Sequence, residues 1–304
     1  IKSRLTKSSH KYGIEVPNSV QHAKELDKQN GNDIWMTALA KEMKNVGVGF
    51  EILEADQATP VGWTKATGHL IWDVKMDFTR KARWVKDGHK TADPEGSNYA
   101  GVVSRESVRI AFTYAALNDL DVWACDIQNA YIQAPTSEKH YIICGPEFGD
   151  HAGKRALIRR ALYGGKCAGR DYWVHLRSCM QFLGFTTCKA DADVWMREKR
   201  RSDGTVYWEY VLLYVDDCLC ISVDPESIIR NEIGKYFIVK EPSIGPPDIY
   251  LGGKVRKVEL ETGVECWAFS SSQYVQEAVR NVRKCLEKRY QEKNDHLKFH
   301  LPKK

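Results

Sequence analysis

Two adjacent carboxylates, Asp216 and Asp217, end the string Tyr214-Val215-Asp216-Asp217, which lies between two apolar runs, 208–213 and 218–223. Each run has the length and composition of a strand and the string between them reads as a turn, so the acids would sit at a hairpin tip. Burying two carboxylates side by side is costly unless a cation neutralises them. Hard divalent ions such as Mg²⁺ prefer carboxylate oxygens and keep coordination positions open for phosphate oxygens. Phosphoryl transfer by a pair of such ions, about 4 Å apart, calls for a third carboxylate on a neighbouring strand. Asp126, inside the short strand-like stretch 122–127, is the candidate. It lies far from the pair along the chain, so only the fold could unite them. Taken alone, the two acids read equally well as an ordinary hairpin turn.

The elements that must position these residues are visible as patterns. Leu70, Trp72, Val74, Met76 and Phe78 alternate with Asp73, Lys75 and Asp77, which predicts a half-buried strand with the apolar set on one face. A turn at 79–81 and a returning run at 82–85 make this a hairpin, whose polar side and tip carry Lys75, Arg80, Lys81, Arg83 and Lys86. Such a face either grips phosphate or is simply solvated. A short helix is expected at 19–29. Asn32 is the predicted N-cap of a second helix, bearing Ile34, Trp35, Ala38, Leu39 and Met43 on one face and stopped by Gly47. Ser104 caps a third that runs to Leu117, with Glu106 in its first turn, where the helix dipole favours an acid. A Gly-containing loop at 161–169 precedes a helix with Tyr172, Trp173, Leu176 and Met180 inward. Further on, 140–144 reads as a strand, 228–236 as a helix, 249–260 as a strand and 272–293 as a last helix before a basic tail. Helices and hairpins are intermixed without an internal repeat, so the fold class is α+β.

Composition sets outer limits. The chain has 304 residues, enough for about two domains, with 43% hydrophobic and 28% charged residues, the balance of a soluble globular protein with a real core. Its 45 basic and 40 acidic residues leave a formal charge of +5, compatible with a polyanionic partner without identifying one. No apolar run reaches the roughly 18 residues needed to cross a bilayer, and the N-terminus has no signal pattern, so no membrane partner is expected. The nine cysteines include no C-x-x-C pair, and Cys218 and Cys220 sit in an apolar run, which predicts buried thiols and neither disulfides nor zinc. The nine histidines offer no metal pair at helical spacing. The chain begins at Ile1 and is read as a piece of a longer product.

Five segments, in order, resemble the motifs of reverse transcriptases of the Ty1/copia retrotransposons. Lys81-Ala82-Arg83-Trp84-Val85 is similar to that branch's Lys-Ala-Arg-Leu-Val. Asp126-Ile127-Gln128-Asn129-Ala130-Tyr131 resembles the first-aspartate motif, an Asp followed five residues later by an aromatic. Leu162-Tyr163-Gly164-Gly165-Lys166 is similar to Leu-Tyr-Gly-Leu-Lys, Leu212-Leu213-Tyr214-Val215-Asp216-Asp217 to the catalytic motif, and Tyr250-Leu251-Gly252-Gly253 to the Phe-Leu-Gly primer-side motif. One departure stands out: the family places Gln after the Lys of its Leu-Tyr-Gly-x-Lys motif, and this chain has Cys167, a poor hydrogen-bond donor.

The resemblance implies RNA-directed DNA polymerase activity, in which a primer 3′-hydroxyl attacks a deoxynucleoside triphosphate. It implies a right-hand polymerase fold with an antiparallel palm sheet packed on helices: a flexible segment at 1–32, fingers at 33–121 with a return segment at about 145–175, palm at 122–260 and a partial thumb at 261–304. Asp126 and Asp216, with the main-chain carbonyl of Ile127, would be metal ligands for two Mg²⁺ ions, with Mn²⁺ as a substitute, and Asp217 a third carboxylate. Lys75, Lys81, Arg83, Tyr131 and Cys167 would form the nucleotide site, Tyr131 excluding a 2′-hydroxyl. Tyr214, Leu251 and Gly252 would lie on the primer side. Implied partners are an RNA or DNA template with its primer, deoxynucleoside triphosphates, and the ribonuclease H and integrase portions of a Pol polyprotein. The implied location is a cytoplasmic retrotransposon particle, or the nucleus. Two rival readings remain at this level: a catalytically inactive nucleic-acid-binding remnant, and an unrelated two-metal phosphodiesterase or nuclease.

Overall fold

The computed structural model describes residues 10–75 and 77–272 and, beyond them, residues 275, 276, 278–280, 282, 283, 286 and 287. The chain forms two compact units, one made of residues 1–102 and 127–185 and the other of residues 103–126 and 186–304. Helices and largely antiparallel sheets are mixed in both, as the α+β patterning requires.

In the first unit, helices Val20–Asn30 and Ile34–Val46 pack with the hairpin of strands Gly68–Val74 and Arg80–Lys86. Ala23, Leu26, Trp35, Leu39, Trp72, Val74 and Ala82 form the shared core. Ser19 caps the first helix through its side chain. The second helix is capped from a distance: the buried Asp27 carboxylate accepts the N–H groups of Trp35 and Met36, at 3.0 and 2.9 Å. Asn32, the expected cap, accepts only from Ile34 (3.3 Å). A carboxylate on the dipole's positive end is the stronger partner. A four-stranded sheet runs in the order Phe50–Ile52, Arg155–Ile158, His140–Ile143, Thr64–Lys65, the last pair parallel. Helix Ala168–Phe182 buries Tyr172, Leu176 and Met180 and leaves Trp173 half-buried. Residues 10–15, expected to be loose, contain a small hairpin of His10–Lys11 and Ile14–Glu15.

The expected alternation to Phe78 stops at Val74. Lys75 and Thr79 close the turn instead, and Phe78 adopts φ +61° with its ring exposed, edge-on to Tyr12. The apolar pattern ran on because this aromatic packs on the amino-terminal hairpin. Met76 lies outside the described residues.

In the second unit a five-stranded antiparallel sheet has the order Thr186–Thr187, Val194–Arg200, Val206–Tyr214, Asp217–Ser222, Asp121–Asp126. Helix Arg105–Leu117, capped by the Ser104 side chain as expected, covers it through Val108, Phe112 and Ala115, which meet Val122, Leu212, Leu219 and Ile221. The stretch 249–260 is not one strand. Leu251 and Gly252, at φ +46° and +79°, turn the chain between Ile249–Tyr250 and Gly253–Glu259, and Glu265–Ser270 completes a three-stranded sheet. Positive φ at both central residues is the hairpin geometry that matches strand twist. The 228–236 stretch is likewise not one α-helix: a π turn, Ile228–Glu232, gives way to a 3₁₀ turn, Ile233–Lys235. A Cβ at Gly234 would lie 3.0 Å from the Ile229 carbonyl oxygen, a contact tight enough that the backbone would have to give by a few tenths of an ångström. The described positions from 272 to 287 are helical, and the rest of the expected 272–293 helix lies outside the described residues.

Candidate active site

The sheet of the second unit brings the three acids together. Strands Val206–Tyr214 and Asp217–Ser222 form a two-residue hairpin in which Tyr214 pairs with Asp217 and Val215-Asp216 is the loop. On the other side, Asp217 pairs with Asp126, which places the two carboxylate-bearing residues directly opposite. The Asp126 N–H donates to Ser243 Oγ (2.9 Å) and its carbonyl accepts from Lys240 N–H (2.9 Å). Its backbone groups therefore point away from Asp217, making this a non-hydrogen-bonded pair, in which Cα atoms approach to about 4.5 Å and side chains are closest. Leu219 and Ile221 follow Asp217 at two-residue intervals on the same face of the strand and enter the core, as Ala124 and Val122 precede Asp126. The acids thus end a row that is otherwise apolar. Val215 holds φ +55°, a strained conformation for a β-branched residue, of the kind tolerated where function fixes the turn.

Burial raises the pKa of Asp216, and the negative charge of Asp126 adds to it, against its own backbone N–H and Lys240. Burial, then Asp216 and Asp126, push Asp217 up to about 6, again opposed by Lys240. Lys240 Nζ stands 3.5 Å from Asp126 Oδ2. In donor type and charge the cluster fits hard divalent cations, since the repulsion that raises both acids is what such ions relieve. As the side chains stand, no three His, Cys, Asp or Glu groups among the described residues are drawn together tightly enough to hold a metal ion. Closure on an ion requires the carboxylates to reorient.

Tyr214, at the end of its strand, is partly exposed, and Leu251 and Gly252 form the neighbouring sheet's turn. Tyr250, just before that turn, is buried, and its phenol is pushed well up by burial and then by Cys218 and Asp217.

The first unit assembles a separate constellation. On strand Arg80–Lys86, Ala82, Trp84 and Lys86 point inward while Lys81 and Arg83 share the other face. Burial, then the positive charges of Arg83 and Lys75, lower the Lys81 pKa, so these three cations form one basic cluster. The Arg83 guanidinium lies over the Tyr163 ring, 4.4 Å from its centroid. Tyr163 in turn meets Tyr131 (5.0 Å between centroids), and Tyr131 meets Tyr172 (5.9 Å). Cys167, at 3% exposure, is buried, and its thiol is pushed up by burial and then by Glu138, against a hydrogen bond with Ser137. Ile127 is fully buried.

Sequence reading missed Lys240 and Ser243, which carry no motif signal, and Tyr163, whose place in a motif hid its role as a stacking partner. It also missed the buried Lys86, whose Nζ lies 2.9 Å from Glu138 and 2.8 Å from His140 Nδ1. The sequence pattern groups Lys86 with the hairpin's basic polar side and tip; its inward position follows from the strand's alternation once the register is known. The eight described cysteines are free thiols. No helix among the described residues is long and apolar enough to cross a membrane.

A model of the reverse transcriptase (RNA-dependent DNA polymerase) family matches residues 55–285. The chain is similar to the Retrovirus-related Pol polyprotein from transposon RE1 of Arabidopsis thaliana, with 29% identity over 255 residues, covering 79% of this chain and 17% of that protein. The corresponding protein from transposon TNT 1-94 of Nicotiana tabacum is 27% identical over 290 residues, 91% of this chain and 21% of its own length. That from transposon RE2 of Arabidopsis thaliana is 29% identical over 223 residues, 69% and 15%. The chain thus spans about a fifth or less of the curated relatives it matches. A match over most of the chain, containing the paired acids, their turn and the Arg83 strand, places it in the reverse transcriptase family, as a Ty1/copia-type reverse transcriptase region.

Proposed function

We propose that this chain is the polymerase portion of a copia-type Pol protein, extending a primer 3′-hydroxyl with deoxynucleoside triphosphates on an RNA or DNA template. The observation that carries the reading is the register of Asp126 against Asp217, with Asp216 on the adjoining turn. Asp126 and Asp216, with the Ile127 carbonyl, would hold two Mg²⁺ ions, or Mn²⁺ in their place, and Asp217 would tune the cluster. Such ions, when bound, neutralise phosphate charge and make a hydroxyl a better nucleophile. The chain's own contribution is positioning. The strained Val215 turn fixes where Asp216 projects. Tyr214 and the Leu251-Gly252 turn hold the primer side. In the first unit, Lys75, Lys81 and Arg83 bind phosphate oxygens, with the guanidinium oriented by its stack on Tyr163. Tyr131, held between Tyr163 and Tyr172, fills the space a 2′-hydroxyl would need. With Cys167 buried and its thiol hydrogen-bonded with Ser137, the family's Gln position offers no amide to a nucleotide, and nucleotide positioning falls to this stack and to main-chain groups.

In these terms residues 33–121, with a return segment at about 145–175, would be fingers, residues 122–260 a palm and residues 261–304 a partial thumb. The ribonuclease H and integrase portions of a Pol polyprotein would be its covalent neighbours, with a retrotransposon particle as its setting.

Primer extension on an RNA template with Mg²⁺ tests the proposal against the Asp216→Asn and Asp126→Asn variants. The parent is expected to extend and each variant to slow by about 10³-fold, as for loss of a principal electrostatic group. Undiminished extension by the variants would overturn the assignment. Template–primer binding without extension by the parent would point to the inactive remnant.

A further inference from the structure

We propose that Lys240 is a built-in competitor for the carboxylate cluster: its ammonium group shares Asp126 with divalent cations and thereby sets how tightly they bind. The inference rests on the assignment of Asp126 and Asp216 as metal ligands made under Proposed function. What singles out Lys240 is the way its backbone is tied to the residue it pairs with. Asp121–Asp126 is the edge strand of its sheet, and residues 240–245 close that edge. Lys240 N–H donates to the Asp126 carbonyl (2.9 Å), and Asp126 N–H donates to Ser243 Oγ (2.9 Å). Ser243 Oγ donates back to the Lys240 carbonyl (2.6 Å), and Gly245 and Ala124 exchange hydrogen bonds in both directions (2.8 and 3.2 Å).

An ordinary surface lysine loses side-chain freedom in making an ion pair, and the pair contributes little. Here backbone hydrogen bonds already hold residue 240 beside residue 126, so the ammonium stays near Asp126 Oδ2 at lower entropic cost. The same charge reaches Asp216 and Asp217, where it opposes the mutual repulsion of the acids. One fixed positive charge therefore performs part of the neutralisation that a divalent ion would perform. An entering ion must displace it from Asp126 or bind beside it against like-charge repulsion, and either lowers affinity. Lys240 is thus a positioning residue. It holds Asp126 at the edge of the sheet and moderates the grip on metal, so that ions are not held too tightly to exchange.

The test uses the full chain and Mn²⁺ as the probe, with Kd read by isothermal titration calorimetry and Tm read without metal. Lys240→Gln is expected to bind Mn²⁺ about tenfold more tightly, from loss of one nearby like charge, and to melt at a lower temperature without metal. Lys240→Arg, which keeps the charge, is expected to behave as the parent in both. A residue with only a structural role would lower Tm without tightening metal binding. An unchanged or weaker Mn²⁺ affinity in Lys240→Gln overturns the inference, as does Lys240→Arg binding as tightly as Lys240→Gln. Asp126→Asn and Asp216→Asn separate this from failure of the underlying reading. If the parent binds no Mn²⁺, or binds it undiminished in those variants, the ligand set itself is wrong and the inference falls with it. If they lose Mn²⁺, the ligand set stands and the Lys240 variants alone decide.

Discussion

Asp217 carries a folded-state pKa of about 6, raised by burial and by the charges of Asp216 and Asp126. The folded protein therefore keeps this proton to higher pH than the unfolded chain does. Stability falls as pH rises from the ordinary carboxylate value of 3.8 through 6, and the penalty is complete above that. The shift corresponds to about 3 kcal/mol, which solvent screening at this half-exposed site reduces to about 1 kcal/mol. Asp217→Asn is expected to raise Tm by about 2 °C in metal-free buffer near neutral pH. Calorimetry would show that gain shrinking toward pH 4; a lower Tm at neutral pH would mean the carboxylate is net stabilising. At the other constellation, Arg83 combines charge with a ring stack on Tyr163. Arg83→Ala should raise KM for deoxynucleoside triphosphates by about tenfold, and Arg83→Lys should recover only part of that, because the fork and most of the stack are lost. Full recovery with Lys in steady-state kinetics would reduce the role of Arg83 to charge alone. The types of these residues were legible in the sequence. Their partners were not, since nothing local to Arg83 indicates Tyr163.

Elements matter here through close backbone approaches. Gly164, at φ +82°, faces the hairpin strand so closely that a Cβ would lie 2.2 Å from the Lys86 carbonyl oxygen. Lys86 N–H donates to the Tyr163 carbonyl (2.8 Å), and Gly88 N–H to the Gly164 carbonyl (3.1 Å). These contacts dock the 161–167 loop on the hairpin and set the Tyr163 ring under Arg83. Gly164→Ala must break them, at a cost of about 3 kcal/mol. Urea unfolding should show that loss together with a higher KM for nucleotide; a variant as stable as the parent would mean the loop adapts elsewhere. Beneath the loop the buried Lys86–Glu138 pair adds a charged anchor. The sequence displayed the glycines and the hairpin, because both are local patterns. The docking between them depends on a contact across a long stretch of chain, which periodicity cannot report.

For the whole molecule, the acid side of the stability curve is governed by carboxylates that the fold has paired. Asp87 is buried, which by itself would raise its pKa, yet hydrogen bonds from Lys90, Thr67 and His69 outweigh burial and hold it well below the ordinary range. Its stabilisation is present above about pH 4, where the unfolded chain's carboxylate is ionised, and is lost as pH falls through the lower folded-state value. Asp191, which accepts from Ser104 and Ser107, is lowered in the same sense. The urea midpoint should therefore drop between pH 5 and 3, and drop less in Asp87→Asn, which starts lower. An equal acid slope in parent and variant would assign the loss to other groups. These two acids lie in different units, so both units are expected to weaken in acid.

Features that depend on neighbours along the chain were already legible in the order of residues in the sequence. The Tyr214-Val215-Asp216-Asp217 hairpin tip follows from two apolar runs and a turn, and the helix from Arg105 from Ser104 and apolar spacing. The order of its motifs was enough to indicate the family that the match over residues 55–285 establishes. It could not end the Leu70–Phe78 alternation correctly or find the Leu251-Gly252 turn, because hydropathy does not record backbone φ. That Asp126 faces Asp217, and that residues 240–245 close the edge strand with Lys240 at its acid, emerged from long-range packing alone. Strand register and edge pairing are set by which side chains fill the shared core and which backbone groups find partners, and those choices are made between residues far apart in the chain.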